Sequence, residues 1–209
     1  MKIILLGIST TPGRAVLNEA LRREHTVTAI ARDPANIQQS DPRLRIEQGE
    51  IANPAQMAKL ERGQDVVVNA LEPAPGTNFA DLTRKLIDGV ERSGVRRLIT
   101  IGGTGSLETS PGKLLMDTPE FPTAWKSIAQ AQYTALEVYR GVATLEWTMI
   151  SPPIIIDSGK RTARYRTATE QLIKNAKGES HISAADFACA ILDEIEHPNF
   201  IRQRFTVGY

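Results

Sequence analysis

The residues best able to do chemistry stand near the start of the chain, between Gly7 and Gly13. Residues 1–6 form an apolar run of strand length, and from Gly13 onward apolar residues recur at helical spacing. A strand, a glycine-bounded turn and a helix can bind a diphosphate, because a helix N-terminus presents free N–H groups and the positive end of its dipole. The spacing predicts a dinucleotide site here; a tight connection without a ligand is the alternative.

The turn departs from the pattern G-x-x-G-x-x-G at its centre, where Thr10 replaces glycine. A Cβ at this position narrows the approach of a phosphate to the backbone. We expect the hydroxyl of Thr10, or that of Ser9 or Thr11, to bind the phosphate instead. Pro12 fits the first helical turn, where its missing N–H costs nothing.

A second strand pattern, residues 25–31, ends at Arg32. An acidic residue at this position binds the ribose hydroxyls of NAD, whereas a basic one suits the 2′-phosphate of NADP. Arg32 therefore favours NADP, with NADPH preferred over NADH. The alternative is a solvated arginine that opens the turn at Asp33.

Strand and helix patterns continue to alternate along the chain. Further strands are predicted at 44–49, 65–71, 95–101 and 145–150, and helices at 54–60, 78–93, 123–140 and 183–196. The fold class is therefore α/β, a Rossmann-type doubly wound parallel sheet. We expect a single domain, 1–209, with small substrate or cover segments near 105–125 and 152–183.

Residues at the predicted strand ends should line the cofactor crevice, because ligands of such sheets bind outside the C-terminal ends of the strands. These cofactor-binding candidates are Glu50, Ile51, Asn69, Ala70, Leu71, Gly102, Gly103, Pro152 and Pro153. The loop 72–76 is too rich in proline and glycine to be regular. Ser106, in the glycine-rich loop, either flanks the nicotinamide or satisfies local backbone.

Composition limits the partners. The 209 residues carry a formal net charge of +1, which gives no reason to expect nucleic acid or an acidic membrane surface. A single cysteine, Cys189, excludes an internal disulfide and favours a reducing, cytoplasmic compartment. No apolar run is long enough to span a membrane, and the first strand leaves no room for a signal peptide. His181 and His197 share no metal-ligand spacing, so we predict no metal.

The C-terminal part offers a basic and aromatic cluster, Arg161, Arg164, Tyr165 and Arg166, that could hold the phosphate of flavin mononucleotide. A solvated strand face is the alternative. Residues 171–174 and 180–182 are predicted to form a hairpin. Ser183, followed by Asp186, predicts the cap of the last helix.

Five segments occur in the same order as in a known group of proteins: 7–13, 93–98, 102–107, 147–153 and 204–209. Together they resemble the atypical short-chain dehydrogenase/reductase group often described as NADH-flavin reductases, with biliverdin/flavin reductase-like and NmrA-like relatives. The resemblance extends over nearly the whole chain. It implies a Rossmann-type domain, an NAD(P) cofactor and, for some members, hydride transfer to flavins or quinones.

One part of that pattern is missing. Standard short-chain dehydrogenases use Tyr-x-x-x-Lys, in which the lysine favours the tyrosinate and the tyrosine exchanges a proton with the substrate. Here Tyr133 is followed four residues later by Glu137, which would disfavour the tyrosinate. Lys126 lies two turns before Tyr133, too far for a direct pair unless a ligand bridges them. Ser106, Tyr133 and Lys126 are the catalytic candidates, and a structural role is the alternative for Tyr133.

Reduction of a flavin demands less from the protein, because the two rings supply the chemistry once they are stacked and oriented. The leading hypothesis is therefore an NADP-dependent reductase of flavins or quinones, with a small-molecule acceptor as partner. A non-catalytic NADP sensor and a sugar-nucleotide epimerase or reductase are the alternatives. The oligomeric state stays open.

Overall fold

A computed structural model describes residues 1–74 and 76–209, so Pro75 of the predicted loop lies outside the described residues. The helices are α1 Thr11–Arg22, α2 Pro54–Glu61, α3 Phe79–Ser93, α4 Lys126–Arg140 and α5 Ala184–Glu196. The strands are β1 Lys2–Leu6, β2 Thr26–Ala31, β3 Leu44–Gln48, β4 Val66–Asn69, β5 Arg97–Ile101, β6 Glu108–Ser110, β7 Lys113–Leu114, β8 Glu146–Ser151, β9 Ile155–Asp157, β10 Arg166–Ala168, β11 His181–Ser183 and β12 Gln203–Gly208.

Eight of these strands form one sheet in the order β10-β12-β8-β5-β4-β1-β2-β3. Every pair in it is parallel except β10 with β12. The order reverses between β1 and β4, and the C-terminal ends of both strands open at that point. The predicted Rossmann-type α/β sheet is confirmed, and its switch point is where ligands of such sheets bind.

Both faces of the sheet are covered. In β1, Ile3 and Leu5 point into a core shared with α1 and α5, whereas Ile4 and Leu6 point into a core shared with α2, α3 and α4. Burial on both faces explains why the strand is a continuous apolar run rather than an alternating one. No helix in the two described ranges is long and apolar enough to cross a membrane.

Side chains cap the starts of three helices, and the cap predicted at Ser183 is confirmed. The side chains of Asn53, Asn78 and Ser183 accept backbone N–H groups at the starts of α2, α3 and α5. Gly94 ends α3 in the left-handed region, with φ +85°. The first helix begins at Thr11, two residues earlier than the apolar spacing from Gly13 predicted, because Thr10 serves as its cap.

The predicted hairpin is wrong. A turn does form at Asn175, but β11 leaves it to pair in parallel with β9, with His181 opposite Ile155. This pairing buries Ile182 completely and places Ser183 at the start of α5. Burial of an apolar side chain and a helix cap together favour it over a local hairpin.

The beginning of α4 also differs from expectation. Trp125 and Ile128 are apolar residues near the start of the predicted helix 123–140, yet they are 58% and 41% exposed. Thr123 makes no side-chain cap and belongs to a short 3-10 turn before the helix. The buried part of α4 is its C-terminal half, where Leu136 and Tyr139 pack in the core shared with α3.

A buried ion pair lies at the N-terminal ends of the parallel strands, away from the cleft. Arg97 Nη2 lies 2.7 Å from Glu194 Oε1, with side chains 8% and 3% exposed. Arg97 also donates to the hydroxyl of Thr148, which in turn donates to a backbone carbonyl in the loop after α5. The pair thereby joins β5, β8 and the end of α5.

Glu61, the last residue of α2, is fully buried, and neither of its carboxylate oxygens has a hydrogen-bond partner within the described residues. Burial raises the pKa of Glu61 from 4.5 to about 7. The folded state therefore binds a proton more tightly than the unfolded state does.

We predict that ionisation of Glu61 lowers the free energy of unfolding by about 3 kcal/mol as the pH rises from about 4.5 to about 7. Above that pH the contribution of Glu61 is constant. Glu61→Gln should remove that dependence, because glutamine does not ionise. Urea unfolding at pH values across this window measures it. The exposed Glu120→Gln is the control, and an unchanged pH dependence in Glu61→Gln would contradict the assignment.

Candidate functional site

The turn between β1 and α1 allows backbone to approach backbone. A Cβ on Gly7, where φ is +85°, would lie 2.5 Å from the carbonyl oxygen of Ala70, and a Cβ on Gly13 would lie 2.1 Å from the oxygen of Gly7. Both distances are far below contact. The start of α1 therefore sits directly against the C-terminal ends of β1 and β4, as a dinucleotide-binding turn requires.

Thr10 uses its hydroxyl inside this turn. The oxygen accepts the N–H of Gly13 at 3.0 Å, and the hydroxyl donates to the carbonyl of Gly7 at 2.9 Å, with that of Ala70 at 3.3 Å. Its single hydrogen is thus directed into the protein, so this geometry does not favour donation from Thr10 to a phosphate, which stays a prediction. Ser9 and Thr11 are exposed and keep their hydroxyl groups free for that role.

A cleft of about 340 Å³ opens beside the turn. Its lining comes from the start of α1, the ends of β4 and β5, the face of α4 and the segment after β8; the residues are Thr11, Pro12, Ala70, Leu71, Glu72, Ile101, Gly102, Gly103, Thr104, Gln132, Pro152 and Ile156. A larger hollow of about 440 Å³ lies at Arg166–Ala168, on the edge strand of the sheet. We take the cleft as the site because it adjoins the glycine turn at the switch point.

Many of the predicted cofactor residues meet in this cleft: Thr11, Pro12, Ala70, Leu71, Gly102, Gly103 and Pro152. Gln132 was missed, although it adjoins the predicted Tyr133. A Cβ on Gly103 would lie 2.0 Å from the Oε1 of Gln132, so the glycine lets the loop rest on α4. A glycine-rich strand end facing a helix was the signal that could have found it.

Other predicted residues lie outside the cleft. Asn69 is 4% exposed; its amide donates to Thr100 Oγ1 at 3.1 Å and its oxygen accepts the N–H of Leu71. Asn69 therefore shapes the strand end from below. Pro153 is buried and its carbonyl accepts the hydroxyl of Thr104.

The strand end after β3 also stays away from the cleft lining. Glu50 is exposed there. Ile51 packs against the core shared with α2 and α3. Neither residue lines the cleft, and their assignment to the cofactor stays a prediction.

Ser106 is 2% exposed and does not line the cleft. Arg204 donates to its hydroxyl at 2.8 Å and to its carbonyl at 3.0 Å, and also pairs with Glu170. Burial lowers the pKa of Arg204 to about 10. This geometry gives Ser106 the structural role that the sequence left open, as an anchor for the glycine-rich loop.

The catalytic candidates on α4 do not converge. Tyr133 is half-buried against the core shared with α2 and α3, and Lys126 is exposed at the helix start. No hydrogen bond joins them in the described part of the chain, and neither lines the cleft. Tyr139, below the cleft, is buried beside Thr100 and Asn69, and burial raises its pKa to about 12. Among the residues that the structure describes, the cleft lining therefore contains no tyrosine, lysine or histidine to act as a proton donor.

The predicted phosphate-binding cluster is also dispersed. Arg161 donates twice to Glu19 of α1 at 3.0 Å, and Tyr165 donates to Asp193 of α5. Arg166 donates to the carbonyls of Lys174 and Tyr209. These three side chains hold the segment after β9 in place, whereas Arg164 is exposed. The contacts favour a structural role, and the flavin phosphate site stays a prediction.

A family model described as NAD(P)H-binding matches residues 7–198. The chain belongs to this NAD(P)H-binding family. The uncharacterized protein YwnB of Bacillus subtilis strain 168 is 39% identical over 212 residues, which cover 99% of this chain and 98% of that protein.

Solved structures resemble the whole chain. A protein of Bacteroides thetaiotaomicron, provisionally named an epimerase, has a TM-score of 0.93 at 36% identity and covers 100% of this chain and 96% of its own. One from Streptococcus pneumoniae TIGR4, provisionally named an NADH-flavin reductase, has a TM-score of 0.85 at 30% identity over 100% and 99%. One from Burkholderia pseudomallei, provisionally named an exported protein, has a TM-score of 0.92 at 39% identity and covers both chains completely. The atypical reductase-like family suggested by the sequence motifs is thereby confirmed.

The residues fit a nicotinamide dinucleotide. Gly7 and Gly13 leave no space for side chains between the turn and the sheet, and the exposed Ser9 and Thr11 offer hydroxyl groups at the helix start. The exposed Arg32 follows β2, the strand next to β1. The cleft beyond the turn is wide enough for a nicotinamide ring and its ribose.

We predict that Thr10→Val destabilises the protein by about 1–3 kcal/mol, because valine keeps the shape but leaves the Gly13 N–H without its acceptor. Thr10→Ser retains the hydroxyl and should cost well below that amount. The free energy of urea unfolding compares the two variants. Equal stability of Thr10→Val and the parent protein would show that the cap is dispensable.

Proposed function

We propose that this protein is an NADPH-dependent reductase that transfers hydride to a flavin or quinone-like acceptor. The observation that carries the proposal is a cleft at the dinucleotide turn in which none of the described lining residues is a tyrosine, lysine or histidine. When bound, reduced nicotinamide supplies the hydride, and an electron-poor ring accepts it without a proton donor on the protein. Carbonyl reduction, in contrast, needs such a donor.

In this proposal, the residues around the cleft bind the cofactor, orient the reacting rings and exclude water. Ser9 and Thr11 would donate to the diphosphate, and Arg32 would hold the 2′-phosphate. Gly102 and Gly103 form a floor without side chains, on which a flat ring can rest. Pro152 and Ile156 form an apolar wall that keeps water from the reacting rings.

The acceptor needs no phosphate. Arg161 and Arg166 are held by intramolecular hydrogen bonds and do not line the cleft. We therefore propose a small uncharged flavin or quinone as the substrate, with neither nucleic acid nor a membrane as partner. Because NADPH is the reductant, the cytoplasm is the compartment that fits, although one relative is provisionally named an exported protein.

A second candidate is a sensor that binds NADP and controls a protein partner. The same missing proton donor favours it, since a sensor requires none. A fold neighbour from Veillonella parvula is described in complex with NADP, but at 18% identity it supports only the fold. A sugar-nucleotide epimerase is less favoured, because Tyr133 and Lys126 lie outside the cleft.

We predict oxidation of NADPH with riboflavin or a simple quinone, at rates for riboflavin and flavin mononucleotide within a few-fold of each other, since no cation in the cleft recognises the phosphate. The ultraviolet absorbance of NADPH, followed at several protein concentrations, measures the rate. Binding of NADPH without turnover on any acceptor would favour the sensor.

We also predict that Arg32→Glu weakens NADPH by roughly tenfold or more and NADH much less, because only NADPH carries the 2′-phosphate that a carboxylate repels. Titration of each nucleotide against tryptophan fluorescence gives both dissociation constants. Arg32→Gln, which removes charge without reversing it, should lie between. Equal weakening of NADH and NADPH would contradict this placement of the phosphate.

A further inference from the structure

Arg14 is the first residue after the glycine turn, and its side chain folds back toward that turn. Its Nη2 donates to the carbonyl oxygen of Ser9 at 3.1 Å, while the residue itself is exposed. Within the described residues it has no carboxylate partner, unlike Arg22 and Arg23 on the same helix. A guanidinium held at the rim of a phosphate-binding turn retains most of its five donors for an anion.

The face of α1 that carries Arg14 is turned toward the segment after β2. Asn18, one helical turn further along, accepts a hydrogen bond from Gln39 Nε2 at 3.1 Å. Gln39 belongs to the segment that begins with Arg32. Arg14 and Arg32 therefore lie on two elements that contact each other, α1 and the segment after β2.

Two carboxylates on α1 and the segment after β2 already have other partners. The Asp33 carboxylate accepts the N–H of Ala35 and the side-chain amide of Asn36. Glu19 of α1 is buried and binds three arginines on the far side of the helix; although burial raises its pKa, the hydrogen bonds from Arg22, Arg161 and Arg23 hold that pKa well below its usual range. Neither carboxylate neutralises Arg14.

The helix start itself has few backbone donors. Thr10 already accepts the Gly13 N–H, Pro12 has none, and the Arg14 N–H donates to the Thr10 carbonyl at 3.0 Å. An anion at this end of α1 consequently depends more on side chains than in a turn with glycine at its centre.

We propose that Arg14 and Arg32 together bind the 2′-phosphate of NADPH, so that Arg14 is a second specificity-determining residue. The inference rests on the proposed function, which makes NADPH the cofactor. Two guanidinium groups, one on each of these neighbouring elements, pair with the phosphate dianion, which is the group that NADH lacks.

The test measures binding in the absence of any acceptor, so it is independent of turnover. Arg14→Ala should raise the dissociation constant of NADPH roughly tenfold to a hundredfold and change that of NADH by less than twofold. Titration against tryptophan fluorescence measures both constants. Adenosine 2′,5′-bisphosphate, which lacks the diphosphate, should lose affinity in parallel, whereas 5′-AMP should not. Arg14→Lys should recover part of the loss. Arg84→Ala, an exposed arginine on the opposite face of the sheet, is the control.

Equal weakening of NADH and NADPH by Arg14→Ala would place Arg14 at the diphosphate and overturn the proposal. Unchanged affinity for NADPH would overturn it as well. A protein that discriminates the two nucleotides through Arg14 but reduces no acceptor would leave this inference intact and refute the reductase instead. Circular dichroism and urea unfolding confirm that each variant is folded before its affinities are compared.

Discussion

The turn between β1 and α1 approaches the end of β4 so closely that there is room for a hydrogen atom but not for a side chain. The two positions concerned are Gly7 and Gly13, where a Cβ would come within 2.5 and 2.1 Å of backbone oxygens. This approach aims the helix dipole at the switch point of the sheet and opens the cleft beside it. Thr10 is compatible with it because its hydroxyl is absorbed as a helix cap.

The ion pairs of this molecule lie apart from the cleft. The buried or half-buried ion pairs, such as Arg97 with Glu194 and Arg204 with Glu170, join elements of the frame to one another. The cleft, in contrast, is bounded by glycine, proline, aliphatic, hydroxyl and amide groups, with Glu72 as its one charged lining residue among those described. Such a surface can hold a flat ring and exclude water, which is what the proposed hydride transfer between two rings requires of the protein.

Local patterns predicted what local physics determines. The apolar run before Gly7 and the cap at Ser183 depend on neighbouring residues, and the sequence located them. The fate of Ser106 or Arg161 depends on Arg204 and Glu19, which lie far away along the chain. The periodicity of α4 likewise could not show that its first turn, at Ile128, extends beyond the core. Residue types alone could not distinguish a free polar group from one already paired.

The segment after β9 has a different kind of attachment from the helices. Arg161 reaches Glu19 on α1, Thr162 binds Asp186, and Tyr165 reaches Asp193 on α5, so polar and charged contacts tie this segment across two helices. The helices themselves are held to the sheet by apolar burial. Ionic strength weakens partly exposed charge pairs and leaves apolar contacts largely unaffected. Two kinds of contact therefore stabilise different parts of the protein. Concentrated salt would weaken the attachment of the segment after β9, while the sheet and its helices would stay folded.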